Sequence, residues 1–276
     1  RLNVRARSEL QARARALFER EYHALAQLVH PRIIEVYDYG IDEVGPYYTM
    51  ELLDGGDLQQ LVPVEPARLC AIARDVCSAL SLLHSRRVLH RDVSARNIRY
   101  RQDGTAKLID FGAMTFMGPN KELVGTPAYM SPELLNLQPL DARSDLYALG
   151  ATLYYALTGQ HAYPARDFAS LPALWSFSIP RPSELVDNVP EALDTLLLDL
   201  LQLERGNRPS NAAEVMERLA AIEGQPVSEH LQVAQAYLSI PAFVGREAGL
   251  ARVGSHAQRA QRKVGSALLV QGVSGA

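Results

Sequence analysis

The chain has 276 residues, 47% of them hydrophobic, enough apolar material for one or two domains with a real core. Its formal charge of -3 at neutral pH supplies no strong positive field, which argues against nucleic-acid and lipid-surface partners. No apolar run is long enough to span a bilayer and no stretch reads as a signal peptide. The two cysteines, Cys70 and Cys77, stand in an apolar helical pattern without partners at ligand spacing. They are expected to be buried thiols in a reducing, cytoplasmic setting.

The first predicted element is a helix over 6–29, with Leu10, Ala14, Leu17, Leu25 and Leu28 near helical spacing. His30-Pro31 stops it, because the residue before proline avoids the helical region. Two strands are expected at 33–39 and 46–51, joined by a hairpin through Asp42, Glu43 and Gly45. A turn at Asp54-Gly55-Gly56-Asp57 precedes a long amphipathic helix over 66–85, with Leu69, Ile72, Ala73, Val76, Leu80 and Leu83 on its apolar side. Asp103-Gly104 marks a second hairpin. From 142 to about 222 the pattern is helical, interrupted by proline-rich loops at 164–190. A small mixed part followed by a mostly helical part predicts a two-lobe α+β fold.

Three short motifs occur in order. They are His90-Arg91-Asp92-Val93-Ser94-Ala95-Arg96-Asn97, then Asp110-Phe111-Gly112, then Ser131-Pro132-Glu133 preceded by Gly125-Thr126-Pro127-Ala128-Tyr129. Singly each is weak, and an Asp or Asn alone reads as a turn cap. In order, with an asparagine five residues after the aspartate, they resemble the signature set of the eukaryotic-type protein kinase family in its bacterial Ser/Thr form. The resemblance covers roughly 6–222 and implies ATP and Mg2+ as cofactors and a protein as substrate. Asp92 would accept or orient the proton of a substrate hydroxyl, while Asn97 and Asp110 would hold Mg2+ with hard oxygen ligands. Glu21, with Glu19 as a rival, matches the helix glutamate that pairs with a strand lysine in similar kinases. Met50-Glu51-Leu52-Leu53 looks like the hinge, with Met50 as gatekeeper and the backbone of Glu51 and Leu53 meeting the adenine edge. Asp57 suits either a ribose contact or a helix cap. The resemblance also implies that Asp145 braces the catalytic loop and that Glu133 and Arg208 form a buried ion pair. It further implies that Leu25, Val36, His90 and Phe111 stack between the lobes, and that Thr126 contacts the catalytic loop, leaving Thr115 as the free hydroxyl for phosphorylation.

The sequence also departs from the family. No Gly or Lys precedes Glu21, so the glycine-rich loop and the strand lysine are missing and a truncated start is expected. Ser94 stands where Ser/Thr kinases usually carry lysine, and Arg99 stands where an apolar residue usually underlies the adenine. Arg99 would either stack on the base or mark weakened nucleotide binding. Three domains are therefore expected: a kinase domain over 1–222, a linker over 223–242 and a further module over 243–276. Phe243-Val244-Gly245-Arg246-Glu247 and the run Ser266–Ala276 resemble the opening of an AAA-type or STAND-type ATPase with its phosphate loop. The expected function is phosphoryl transfer to Ser/Thr in bacterial signalling, with this fragment itself inactive. The alternative is a pseudokinase that controls the downstream ATPase.

Overall fold

The computed structural model describes residue 22 and residues 25–42 and 45–224. Glu21, most of the first expected helix and everything from 225 on, including the expected ATPase-like module, lie outside the described residues.

Strands β1 (Val36–Ile41) and β2 (Pro46–Met50) form an antiparallel hairpin. Helix α1 (Pro66–Ser85) starts with proline at its first turn, where the missing N–H would have had no partner in any case. Its apolar stripe is buried at Leu69, Ile72, Ala73, Val76, Leu80 and Leu83, as the periodicity predicts. Cys70 and Cys77 are free buried thiols on the same helix, and burial pushes Cys70 up to about 11. The two-residue strand β3 (Val88–Leu89) follows, then β4 (Ile98–Tyr100) and β5 (Ala106–Leu108), which pair across the Asp103-Gly104 turn, and β6 (Thr115–Phe116), which pairs with β3.

The remainder is helical: α2 (Pro132–Leu135), α3 (Ala142–Thr158), α4 (Leu171–Leu174), α5 (Pro182–Leu185), α6 (Glu191–Leu200) and α7 (Ala212–Glu223). The Asp141 side chain accepts from the Arg143 N–H to cap α3, and Asn211 accepts from the Glu214 N–H to cap α7. Both helices end on a glycine in the left-handed region, Gly159 at φ 74° and Gly224 at φ 64°.

Helix α1 is the centre of the large lobe and packs against α7, α3 and β5. One apolar cluster runs from Leu25 and Ile33 through α1 and Phe111 to Leu149, Leu197 and Leu219. The small β1–β2 part and the helical part thus share a core, in the two-lobe α+β arrangement that the sequence pattern predicts. Among the described residues no helix is long and apolar enough to cross a membrane.

Candidate active site

The loop between β3 and β4 carries the first motif, and three anchors fix its shape. The Asp145 carboxylate, on the first turn of α3, accepts from the His90 and Arg91 amides, each at 2.9 Å, and bonds His84 Nε2 at 2.9 Å. Asp145 is buried. Burial opposes its charge, but the His84 hydrogen bond and charge, the His90 charge and the Arg91 amide hold its carboxyl below the usual range. The second anchor is Thr152, whose hydroxyl donates to the Val93 carbonyl at 3.1 Å. The third is the His90 ring, which meets Phe111 edge-on at 4.7 Å and bonds the Ile109 carbonyl at 3.2 Å. Leu25 and Phe111 are buried in the same cluster, with Val36 packed against it.

These anchors converge on Asp92. One of its oxygens accepts from the Thr126 hydroxyl at 3.1 Å and the other from Asn97 Nδ2 at 2.8 Å. Asn97 Nδ2 also reaches the Asp92 carbonyl at 2.9 Å. That commits the amide nitrogen of Asn97 to the loop and turns its oxygen to other use. The Ile109 amide donates to the Asn97 carbonyl at 2.9 Å, which brings the start of the second motif alongside. Phe111 is buried while Asp110 is exposed, in a left-handed conformation at φ 61°. A non-glycine residue held there stores strain, and such strain gathers at functional sites. Asp92 and Asn97 are thus bonded to each other, and Asp110 follows Ile109, whose amide bonds the Asn97 carbonyl. Ser94 is buried, and its carbonyl takes the Asn97 amide at 3.0 Å.

The expected hinge lies between β2 and the turn at 54–57. Met50 ends β2 and is half exposed, Leu52 is exposed, and Leu53 is buried. The Glu51 amide donates to the Glu35 carbonyl at 2.9 Å. Among the described residues no hydrogen bond engages the Glu51 carbonyl or the Leu53 amide, which leaves one acceptor and one donor for a planar ligand edge. The Asp57 carboxylate caps the single turn Leu58–Leu61 through the Gln60 amide, so its capping role is realised. The segment is zipped onto β4 by Gly55 N–H to Tyr100 O at 3.0 Å and Tyr100 N–H to Gly56 O at 3.1 Å. A bridge also joins Asp57 to Arg99.

Three partners of buried carboxylates, Lys107, Arg101 and His84, are not evident from the sequence. The buried Glu51 carboxylate pairs with Lys107 of β5 and with Arg101 just past β4, and also accepts from the Glu35 amide at 2.9 Å. Burial works against its charge, yet Lys107, the Glu35 amide and Arg101 together hold its carboxyl below the usual range. The only sequence signal was a lysine inside a short apolar strand, Ala106-Lys107-Leu108. His84, the partner of Asp145, had none.

Glu133 and Arg208 form the expected buried pair, Oε1 to Nη1 at 2.7 Å and Oε2 to Nη2 at 3.0 Å. Thr115 lies in β6, where its backbone pairs with Leu89.

The chain matches the protein kinase domain family over residues 3–219, and it belongs to that family. It is 36% identical over 213 residues to the DNA damage-responsive serine/threonine-protein kinase RqkA of Deinococcus radiodurans, covering 72% of this chain and 32% of that protein. It is 34% identical over 225 residues to the serine/threonine-protein kinase PknB of Mycobacterium leprae, covering 76% and 36%. It is 33% identical over 215 residues to the serine/threonine-protein kinase PknL of Mycobacterium tuberculosis, covering 74% and 54%. The chain thus spans about a third to a half of the length of these relatives.

Proposed function

We propose that this domain transfers the terminal phosphoryl group of ATP to a serine or threonine hydroxyl of a protein substrate in bacterial signalling. The carrying observation is the Asp92 carboxylate, held by Thr126 on one oxygen and Asn97 on the other. Asp92 takes the hydroxyl proton as the new P–O bond forms and the bond to the leaving ADP oxygen breaks. The Asn97 oxygen and the Asp110 carboxylate are the hard donors that fit Mg2+, which completes its shell with phosphates and water. Bound there, the ion would neutralise phosphate charge. The Glu51 carbonyl and Leu53 amide receive the adenine edge, below Met50. The exposed side of Asp57 faces the ribose, and Ser94 closes the catalytic loop from within. Glu21 takes the role of the helix glutamate.

The Ser/Thr acceptor draws support from the similarity to serine/threonine-protein kinases and from the bond between Thr126 and Asp92. The residues before Glu21 hold neither Gly nor Lys, so the 276 residues alone are expected to turn over little, because phosphate positioning supplies much of the rate. The resemblance of 243–276 to an ATPase opening supports a downstream ATPase module as partner within the same cytoplasmic polypeptide.

Transfer of labelled phosphate by the full-length protein tests the reading, and activity unchanged in Asp92→Ala would sink it. The buried Ser94, at the usual lysine position, favours a second reading as a pseudokinase that regulates the downstream module. Thermal stabilisation by Mg-ATP together with turnover rejects that reading.

A further inference from the structure

Three aromatic side chains, Tyr129, Tyr155 and His161, meet beside the catalytic loop. Tyr155 lies on α3 three residues past Thr152, whose hydroxyl holds the Val93 carbonyl, so helical spacing puts both on the face that meets the loop. The helix then ends at Gly159, in the left-handed region at φ 74°. The Thr158 hydroxyl fixes the reversal, accepting from the Gln160 amide and donating to the Gln160 carbonyl, each at 3.1 Å. That turn lays His161 back over the end of its own helix. Its ring stacks on Tyr155, with centroids 4.4 Å apart and planes 11° from parallel. It also meets Tyr129 edge-on, at 5.4 Å and 80°. Burial lowers the pKa of His161, and its Nδ1 has no hydrogen-bond partner among the described residues. The ring therefore packs as a neutral aromatic plate.

Tyr129 is where this stack reaches the chemistry. It closes the single turn Pro127–Tyr129, its amide donating to the Thr126 carbonyl at 3.0 Å, and the Thr126 hydroxyl holds Asp92. A small cavity is walled by Asp92, Val93, Thr126 and Tyr129 together. Burial and the neighbouring Tyr155 push the Tyr129 hydroxyl up to about 12, opposed by the Ala95 amide and the Arg96 charge. The phenol thus stays protonated at neutral pH, facing the Ala95–Arg96 end of the catalytic loop. We propose that His161 is a positioning residue for phosphoryl transfer: stacked on the buried helix α3, it wedges Tyr129 against the catalytic loop and so sets Thr126 and Asp92 for the substrate hydroxyl. Two ring contacts act on one plate, and a small displacement of a reacting group is costly in rate. The stack lies on the α3 side of the loop, whereas the hinge is zipped to β4, so the effect falls on turnover and not on nucleotide affinity. The inference rests on the phosphoryl-transfer reading above.

The test follows transfer of labelled phosphate and amide hydrogen exchange in the full-length protein and in His161→Leu, Tyr155→Leu, His161→Phe and Tyr129→Phe. Urea midpoints show that each variant folds. Opening the stack from either side, as His161→Leu and Tyr155→Leu do, should lower kcat about five- to thirty-fold and leave the KM for ATP within about twofold. His161→Phe keeps the flat ring and sheds the unpartnered Nδ1, so it should retain at least about half of kcat. The Ala95 amide should exchange at least about threefold faster in the two leucine variants and unchanged in His161→Phe. Combining His161→Leu with Tyr129→Phe should lower kcat no further than the worse single change, because both act through one phenol. Unchanged kcat in both leucine variants overturns the inference. So does a loss in His161→Phe as large as in His161→Leu, or a double variant in which the two losses multiply. If the unaltered protein transfers no phosphate, the phosphoryl-transfer reading fails, and exchange at Ala95 decides the positioning role by itself. Equal exchange in His161→Leu and the unaltered protein then overturns it, and faster exchange in the variant upholds it.

Discussion

The Glu133–Arg208 pair allows a quantitative test of what ties the end of the motif-bearing segment to the helical lobe. Its side chains are 3% and 0% exposed, so solvent cannot replace a missing partner. Arg208 has further support: it donates to the Gln202, Arg143 and Leu203 carbonyls at 2.6, 3.0 and 3.0 Å and lies 4.8 Å from the Tyr147 ring centroid. Glu133 has only the Ser144 hydroxyl at 2.8 Å as an additional side-chain donor. Removing one member of a buried pair costs about 3–5 kcal/mol. Glu133→Gln should fall at the low end of that range, because the guanidinium keeps its carbonyls and ring. Arg208→Met should fall at the high end, because it strands a carboxylate. With a urea slope of roughly 2 kcal/mol per molar, the midpoint should drop by about 1.5 M and 2.5 M respectively. Unfolding followed by circular dichroism and by the single tryptophan, Trp175, reads this directly. The double variant should lose less than the sum of the singles by at least about 2 kcal/mol, since neither charge is then left alone. Single losses below about 1 kcal/mol, or strictly additive losses, would refute the reasoning.

Three further outcomes are expected. His30 is buried, and that burial, with the charges of Arg32 and Lys107, lowers it to about 4. Its folded value lies below the unfolded value near 6.5, so its neutral form is favoured and stability is full above pH 6.5. Stability then falls as pH drops toward 4, by about 3 kcal/mol from this group; an unchanged pH slope in His30→Gln would disprove this. Asp145→Ala removes the acceptor for the His90 and Arg91 amides, so hydrogen exchange at those two amides should speed up at least tenfold relative to the α1 core; equal protection would contradict the bracing role. Lys107→Met should cost about 2–4 kcal/mol by leaving Glu51 with the more exposed Arg101. Adding Glu51→Gln should recover part of that loss, and no recovery in urea unfolding would argue against a coupled pair.

Much of this protein is readable along the chain. The 3.6-residue stripe of α1 and the Asp103-Gly104 turn are local features, set by backbone geometry and side-chain periodicity within a few residues. The motif around Asp92 and Asn97 is local as well, because five residues of one loop set its spacing. Identifying Asp145, Glu133 and Arg208 as supports needed family resemblance, since 75 residues separate the two members of the ion pair.

Tertiary structure decided the rest. It alone paired Glu51 with Lys107 and Arg101, gave Asp145 its His84 partner, and placed Thr115 in a strand pair. These choices depend on which elements meet across the core, and burial then makes each charge seek a partner that local sequence does not name.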